Sequence, residues 1–344
     1  MKKQRALIIM ALTLVLAIPA AADGPWQLQI HQGGEVHTFD VSTIDSMTFV
    51  EADLTVPTLV SVPAGQFQMG DGVAYCGIDQ HLVTLTNDFL LGRTEVTNQE
   101  YLQGLNYALE QGLITIDDGV VRDAMGPGAE ILIDLDDVDC EIGLVDGVFM
   151  LRDAGYGLNP DFPVIEIRWF GAACFCDWLN HQAGLPLAYT HDGDWPCNGG
   201  FPYDAVGYRL PTDAEWEYAA QFDGEAIYPW GDDDPDCERA NFAPDEVPCT
   251  GWSVAVGSYP AAPAALGLLD MAGNAFEWCN DWFQCELGWA QATDPPGPAT
   301  GSRRVLHSGG WVCLTENLRN SSRSAFAPSG SSNHAGFRLA RTAP

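Results

Sequence analysis

Arg304-Val-Leu-His-Ser-Gly-Gly-Trp-Val-Cys313 is the segment of this 344-residue chain that says most about its fold. Glu316-Asn-Leu-Arg319 and Gly336-Phe-Arg-Leu-Ala-Arg341 follow it closely. Two earlier segments belong with it, Tyr208-Arg-Leu-Pro-Thr-Asp-Ala-Glu-Trp-Glu-Tyr218 and Gly267-Leu-Leu-Asp-Met-Ala-Gly-Asn-Ala-Phe-Glu-Trp278. After Tyr218 the chain is turn-rich and has few regular periods, which predicts much irregular backbone that is functional or held by ions and disulfides.

These ordered segments resemble the formylglycine-generating enzyme, or sulfatase-modifying factor, family. The resemblance covers nearly everything from residue 59 to residue 341, apart from an insertion at 113–161. It implies an α+β fold, a variant of the C-type-lectin-like fold with mixed strands, two main helices and much irregular structure. Family members oxidise a cysteine of a client sulfatase to formylglycine, using a copper ion held between two cysteines. A shared fold does not by itself establish that activity.

Cys313 matches the first copper-binding cysteine of the family, but Leu318 stands at the position of the second. Copper(I) prefers soft thiolates, so a single thiolate should bind it far more weakly than two opposed sulfurs. Gly310 also departs from the family, whose oxidases usually carry a serine there, near the site that binds oxygen. Cys313 is therefore either a catalytic cysteine or a buried or disulfide-bonded one. A substitute ligand would have to come from Cys279, Cys285 or His307.

Calcium is the second cofactor that the resemblance implies. One family site matches Asp270, Gly273, Ala275 and Glu277, with side-chain oxygens from the two acids and carbonyls from the other two. The other site matches only in its first half, Asn241 and Phe242, and Asp245 or Glu246 would have to complete it. Hard oxygen ligands on irregular backbone suit calcium. The alternative is that Asn241 and Glu277 hydrogen-bond backbone turns.

The N-terminal residues have the pattern of a secretory signal over residues 1–22, with Lys2, Lys3 and Arg5 before an apolar run and a small-residue cleavage site. Residues 23–56 are predicted to form a β-hairpin segment and linker, and 57–344 the main domain. The apolar run is short for a membrane span, so we expect no membrane insertion and a secreted or periplasmic location.

Composition restricts the chemistry and the partners. The chain carries 15 Lys+Arg against 47 Asp+Glu, a formal net charge of -32, and both lysines lie in the predicted signal. Once the predicted signal is removed, no lysine remains for Schiff-base chemistry, and so acidic a protein should be repelled by nucleic acid. The ten cysteines predict disulfides in an oxidising compartment, with Cys237–Cys249 and Cys279–Cys285 as candidate pairs. No cysteine or histidine spacing typical of zinc appears.

Local signals predict three helices and one hairpin in the main domain. Capping boxes at Thr97 and Thr212 start two helices, and helical spacing from Trp169 to Gly184 marks a third. A hairpin is expected within the insertion, turning at Asp146-Gly147. The acidic run 134–139 lacks the glycine and the distal glutamate of an EF-hand and predicts a hydrated face. Structural roles, tying carbonyls to a carboxylate, are expected for Arg319, Arg323 and Arg338.

The sequence thus predicts an exported, calcium-stabilised member of this family that acts as a binding or structural module for a protein or glycan partner. Its surface around Trp311 and the insertion would hold that partner. The rival hypothesis is a formylglycine-generating oxidase in which Cys313 binds copper with an unrecognised second ligand.

Overall fold

The computed structural model describes residues 54–343 except 74–79, 223, 225 and 289, together with the backbone of three strands nearer the N-terminus. The chain divides into two units, residues 1–53 and 54–344. The predicted signal outside 13–17 and the segment 41–49 lie outside the described residues. No helix in the described part of the chain is both long enough and apolar enough to span a membrane.

The first unit contains one antiparallel sheet in the order β1-β2-β3, formed by β1 (Thr13–Ala17), β2 (Gln27–Gln32) and β3 (Glu35–Asp40). β2 pairs with β3 from Gln27 opposite Asp40 to Gln32 opposite Glu35, which confirms the predicted hairpin. β1 lies within the segment predicted as a signal.

Three α-helices are found in the described part of the second unit: α1 (Asn98–Gln111), α2 (Trp169–Ala183) and α3 (Asp213–Ala220). Both predicted capping boxes form, Thr97 with Glu100 before α1 and Thr212 with Glu215 before α3. Gly112 and Gly184 end α1 and α2 in the left-handed conformation that glycine adopts without a Cβ penalty. The three predicted helices are therefore confirmed.

In the described part of the second unit, the strands are short and form five small sheets. The strands are β4 (Leu59–Val62), β5 (Gly65–Met69), β6 (His81–Leu85), β7 (Phe89–Gly92), β8 (Ile114–Asp117), β9 (Val120–Asp123), β10 (Ile131–Asp134), β11 (Ile142–Val145), β12 (Val148–Leu151), β13 (Tyr208–Arg209), β14 (Phe276–Trp282), β15 (Ala292–Thr293), β16 (Arg304–His307), β17 (Ser324–Phe326), β18 (Ala335–Gly336) and β19 (Ala340–Thr342). The sheets have the orders β13-β19-β7-β4, β17-β16-β14-β18, β15-β6-β5, β10-β9-β8 and β11-β12.

Residues 113–161 are part of the folded core. The predicted hairpin is present as β11 and β12, with Val145 opposite Val148 beside the turn. The sequence did not reveal the β8-β9-β10 sheet, whose Val121 and Leu132 are fully buried. Arg168 N donates to Leu132 O at 3.0 Å, which joins this sheet to the start of α2. Alternating apolar residues among many aspartates gave too weak a signal for the strands.

The disulfide predictions are half right. Cys237 and Cys249 form a bridge with Cα atoms 5.6 Å apart. Cys285 is also disulfide-bonded, but Cys279 is a free, buried thiol, so the predicted Cys279–Cys285 pair is wrong. Cys279 lies on β14, and its side chain belongs to the apolar core with Trp216 and Val305. The short distance between Cys279 and Cys285 in the sequence is therefore not enough to pair their sulfurs.

Candidate functional site

Cys313 lies in a tight turn and is a free, half-buried thiol. Its backbone N–H donates to Gly310 O at 2.8 Å, and its carbonyl accepts from Ala243 N at 2.8 Å. Burial raises the pKa of the thiol to about 11, and the Glu316 carboxylate adds to that rise. A thiol with so high a pKa is protonated near neutral pH and is a poor nucleophile. The structure therefore excludes the disulfide-bonded alternative and leaves a free cysteine.

Leu318 occupies the place of the second copper ligand as a core side chain. It is 1% exposed and packs in an apolar cluster with Tyr228, Phe242 and Ala272. An aliphatic side chain offers no electron pair to a metal. Among the described residues, neither cluster of three potential metal ligands includes Cys313. The residues at the family's copper position therefore do not fit copper.

The three substitute ligands considered from the sequence are engaged elsewhere. His307 Nε2 lies 2.7 Å from Asp213 Oδ1, and its ring stacks on Trp216 with centroids 4.4 Å apart. The sulfur of Cys285 is in a disulfide, and Cys279 lies in the apolar core. None of them replaces the missing sulfur in this arrangement.

Gly310 departs from the family serine for a steric reason. A Cβ atom built on Gly310 would lie 2.9 Å from His334 O and 3.0 Å from His334 Cβ. The His334 segment is fixed in this position, because Phe276 N donates to His334 O at 2.7 Å. A side chain at residue 310 would have to displace this backbone, so the serine position of the oxidases is closed here.

We expect Gly310→Ser to lower the free energy of unfolding by about 1–3 kcal/mol, the usual cost of overpacking a well-packed site. Urea unfolding of the variant beside Gly128→Ser measures this. A Cβ on Gly128 would meet only the Glu130 side chain, at 3.7 Å or more, so the control should unfold like the wild type. Equal stability of the two variants would show that the His334 segment moves aside freely.

Asp270 and Glu277 differ in how their carboxylates are satisfied. Asp270 is buried with a φ of 55°, and its Oδ2 accepts from Gly257 N, whereas Oδ1 has no hydrogen-bond partner among the described residues. Glu277 is fully buried and accepts from Arg338 Nε at 2.5 Å, Arg338 Nη2 at 2.6 Å and Trp216 Nε1 at 2.6 Å. Of the two acids, Asp270 has the free oxygen that a cation could use.

The two carbonyl positions of this predicted site lie in the same loop. Gly273 O accepts from Ser308 Oγ at 3.1 Å, and Ala275 is fully buried beside Trp252 and Trp311. Gly273 has a φ of 79°, and a Cβ there would lie 2.5 Å from Asn241 O. Only glycine fits both the φ and the close approach.

Glu95 also belongs to this cluster, although no motif in the sequence indicates it. It is fully buried, and its Oε1 accepts from Asn274 Nδ2 at 2.9 Å, while Oε2 has no partner among the described residues. Burial raises its pKa well above the usual value, and the negative charge of Asp270 raises it further. Glu95, Asp270 and Glu277 thus face one guanidinium, that of Arg338. A calcium ion would fit this excess of buried carboxylate oxygen.

Asn241 and Phe242 are occupied by backbone contacts. Asn241 Nδ2 donates to Trp252 O at 2.8 Å, and Asn241 Oδ1 accepts from Thr250 Oγ1 at 2.8 Å. Phe242 O accepts from Cys249 N at 2.8 Å. Asp245 and Glu246 are exposed and lie beyond this turn. The arrangement matches the alternative in which Asn241 holds a backbone turn, and it gives less support to this calcium site than to the first.

Near Cys313, the structure brings together an aromatic surface formed by Tyr156, Trp252 and Trp311. The Tyr156 ring stacks on Trp252 at 3.7 Å between centroids with an interplanar angle of 10°, and Trp252 lies 5.2 Å from Trp311. Tyr156 is 47% exposed, whereas the two tryptophans are largely covered. The sequence indicates Trp311 and the insertion but not Tyr156, because no local pattern shows which insertion residue reaches Trp252.

Polar contacts fix the rest of the insertion against the same region. Trp311 Nε1 donates to Asn333 O at 2.9 Å, and Asn333 Nδ2 donates to Asp139 Oδ2 at 2.8 Å. The acidic run 134–139, which was predicted to be hydrated, is only partly exposed, because Asp137 and Asp139 lie close to the buried Glu166. These hydrogen bonds link the insertion to the segments that carry Trp311 and Asn333.

Comparison with known proteins gives consistent matches. A family model described as the sulfatase-modifying factor enzyme 1-like domain matches residues 46–343. The formylglycine-generating enzyme of Streptomyces coelicolor is 30% identical over 314 residues, covering 83% of this chain and 89% of the relative. Among solved structures, Treponema denticola variable protein 1 aligns with a TM-score of 0.60 and 23% identity, covering 83% of this chain and 95% of that one. At that identity the likeness concerns the fold alone.

A different kind of relative shares only part of its length with this chain. The serine/threonine-protein kinase pkn1 of Chlamydia pneumoniae is 34% identical over 196 residues, which cover 56% of this chain. The match spans 25% of the kinase. The chain therefore corresponds to about a quarter of the chlamydial relative, and the similarity does not transfer the activity of the whole kinase.

Proposed function

Because this chain belongs to the sulfatase-modifying factor family, we propose that it is an exported, calcium-stabilised module that binds a partner rather than a copper oxidase. The observation that carries the proposal is Leu318, an apolar core residue at the position where the oxidases need a sulfur ligand. The crowding of Gly310 by His334 supports it, since it closes a second position of the oxidase site.

The aromatic surface is the proposed binding site. Tyr156 exposes 47% of its surface, and two apolar residues close in sequence to Tyr156 and Trp311 are exposed as well, Leu158 at 63% and Val312 at 39%. Exposed apolar residues around a rigid aromatic anchor are typical of protein-binding sites, where tyrosine and tryptophan supply much of the affinity. The net charge of -32 favours a basic partner surface. We therefore favour a protein partner over a glycan.

The test uses a displayed peptide library and an oligosaccharide array as probes. We expect selected peptides to bind the wild type and the Phe201→Ala control, but to bind Tyr156→Ala at least about 10-fold more weakly, a loss of about 1.4 kcal/mol. Phe201 is a suitable control because it is also exposed and its ring contacts Tyr203 rather than Tyr156 or the two tryptophans. Ligands found only on the oligosaccharide array would replace the protein partner by a glycan. Equal binding by Tyr156→Ala, or no ligand at all, would refute the proposed site.

Calcium bound by Asp270 should stabilise the fold. At a concentration about 100-fold above its Kd, calcium would add about 2.7 kcal/mol to the free energy of unfolding. We expect Asp270→Ala to lose this increment and Asp270→Asn to retain it, because an amide oxygen also suits calcium. Thermal unfolding with calcium and with a chelator measures the effect, and Asp136→Ala, in the exposed acidic run, is the control. A calcium response that persists in Asp270→Ala would place the ion elsewhere.

The rival function is a formylglycine-generating oxidase. It is favoured by the 30% identity to the Streptomyces coelicolor enzyme and by the free thiol of Cys313. Mass spectrometry of a sulfatase-type cysteine peptide, incubated with the protein and copper under oxygen, distinguishes the two functions. Conversion of the peptide cysteine by the wild type but not by Cys313→Ser would establish the rival, and the proposed module predicts no conversion by either.

A further inference from the structure

A buried cluster of three different ligand types lies away from Cys313. Asp123 ends β9, Cys174 lies in α2, and His191 lies in the turn that follows α2, with a φ of 52°. Each of the three is at most 1% exposed. The fold brings them together from three separate segments, and the function proposed above uses none of them.

The separations of the ligand atoms are close to those of a tetrahedral metal site. His191 Nδ1 lies 3.1 Å from Asp123 Oδ2, and Cys174 Sγ lies 3.8 Å from Asp123 Oδ1 and 3.9 Å from His191 Nδ1. Zinc bound tetrahedrally by sulfur, nitrogen and oxygen at their usual bond lengths separates these ligand atoms by about 3.4–3.6 Å. The two Asp123 distances are to different oxygens, and Oδ1 also accepts from Met125 N at 3.0 Å. One carboxylate oxygen, Cys174 Sγ and a nitrogen of His191 lie within 4.8 Å of one another, so a rotation of the Asp123 carboxylate and small shifts of the other two side chains would place the three atoms around an ion.

Asp177 lies on the far side of the His191 ring, as a carboxylate commonly does behind a metal-binding histidine. Asp177 Oδ2 is 2.9 Å from His191 Nε2, and it also accepts from Tyr189 N at 3.1 Å. The other oxygen accepts from Asn180 Nδ2 at 3.1 Å. A carboxylate fixed in this way would keep a proton on Nε2, so Nδ1 would bind an ion after giving up the proton that it shares with Asp123.

We propose that Asp123, Cys174 and His191 bind a divalent ion of the zinc class, with Asp177 as the residue that orients His191. The thiol and the imidazole favour zinc over calcium, which prefers oxygen ligands. Coordination would release one proton from the Cys174 thiol and one from Nδ1 of a protonated His191, so the buried charge of the cluster would not change. The three side chains leave one position of a tetrahedral ion for a further ligand.

The ion would have a structural role, since the cluster is enclosed and joins β9 to α2. A site of this kind forms as the chain folds, so the metal has to be present during folding. Gly126 is packed against this turn, and a Cβ on Gly126 would lie 1.9 Å from His191 O. Binding of the ion would therefore stabilise the insertion against α2.

The test is the metal content of protein produced with added zinc, measured by elemental mass spectrometry. We expect about one zinc ion per chain in the wild type and less than about a tenth of that in Cys174→Ser, because loss of a ligand from a three-ligand site removes most of the affinity. Cys176→Ser is the matched control, since Cys176 is also a free, buried thiol of α2 but lies outside the cluster. Cys313→Ser should also keep its zinc, which separates this site from the one discussed above.

Cobalt provides a second readout that does not depend on the stability of one variant. The cobalt-loaded wild type and Cys176→Ser should show a thiolate-to-cobalt charge-transfer band, which Cys174→Ser should lack. Asp123→Asn, which preserves size, should keep the band but lose metal more readily to a chelator. A folded wild type without zinc or cobalt, or equal metal content in Cys174→Ser, would overturn the proposal.

Discussion

Arg338→Met should lower the free energy of unfolding by about 3–5 kcal/mol, the cost of breaking a buried ion pair by removing one partner. Arg338 is fully buried and binds both carboxylate oxygens of Glu277. Its Nη1 also donates to Gly92 O at 2.8 Å, and its Nη2 donates to Leu269 O at 3.1 Å. The predicted structural role of Arg338 is thereby confirmed.

The size of this effect follows from what the substitution leaves behind. Glu277 would be left buried without its guanidinium partner, next to Glu95 and Asp270, whose pKa values are raised already by burial. Methionine approximates the volume of the arginine stem, so the loss comes from the charge and its hydrogen bonds. Urea unfolding, monitored by tryptophan fluorescence, gives the free energy directly.

Arg239→Met is the control for a surface ion pair. Arg239 Nη2 lies 3.2 Å from Asp233 Oδ2, and Arg239 Nη1 lies 3.6 Å from Asp236 Oδ2. Both carboxylates are exposed. Exposed pairs contribute about 0–1 kcal/mol, so this variant should unfold almost like the wild type. If Arg338→Met does not fold, Arg338→Lys, which keeps the charge, should fold with reduced stability. Similar stability of Arg338→Met and Arg239→Met would contradict the account of this core.

Leu318→Cys should create tight copper(I) binding that the wild type lacks. In the family geometry, residue 318 supplies the second sulfur opposite Cys313, and a second tethered ligand strengthens binding by about 10²–10⁴-fold. Two opposed thiolates are the arrangement that copper(I) prefers. Competition titration against a copper(I) chelator measures the change in affinity.

Two further variants distinguish the effect of the added sulfur on copper binding from the effect of the apolar volume that is lost at residue 318. Leu318→Ala removes the same apolar contacts with Tyr228 and Phe242 without adding a sulfur, and should be destabilised by about 2–5 kcal/mol with no gain in copper affinity. Leu318→Cys combined with Cys313→Ser should return to weak binding. If Leu318→Cys alone binds copper no better than the wild type, the chain does not hold these two positions as the oxidases do.

Local signals in the sequence were sufficient for the helices. The capping boxes at Thr97 and Thr212 and the glycines at 112 and 184 act within one turn of the chain, and the structure contains each of them. The β8-β9-β10 sheet was missed because its strands are only four residues long and lie among aspartates. These short strands are stabilised by packing on α2, and a contact between distant segments leaves no local pattern in the sequence.

Which side chains meet at each candidate site depends on contacts between segments that are distant in sequence. The resemblance identified Leu318 as a departure from the family, but only packing against Phe242 shows that it is a core residue. Tyr156 stacks on Trp252, which lies 96 positions later in the sequence, and Trp311 lies farther along the chain. Asp123 and His191 are likewise separated by 68 positions, so a search for close cysteine and histidine spacing could not find their cluster.

Copper(I) titration of the reduced wild-type protein beside Cys313→Ser decides whether this chain has the copper site of the oxidases. We expect weak binding in the wild type that Cys313→Ser leaves unchanged, because Cys313 has no second sulfur opposite it. Tight one-to-one binding that disappears in Cys313→Ser would refute the proposed function. It would mean that a second ligand exists and that the chain retains the oxidase site.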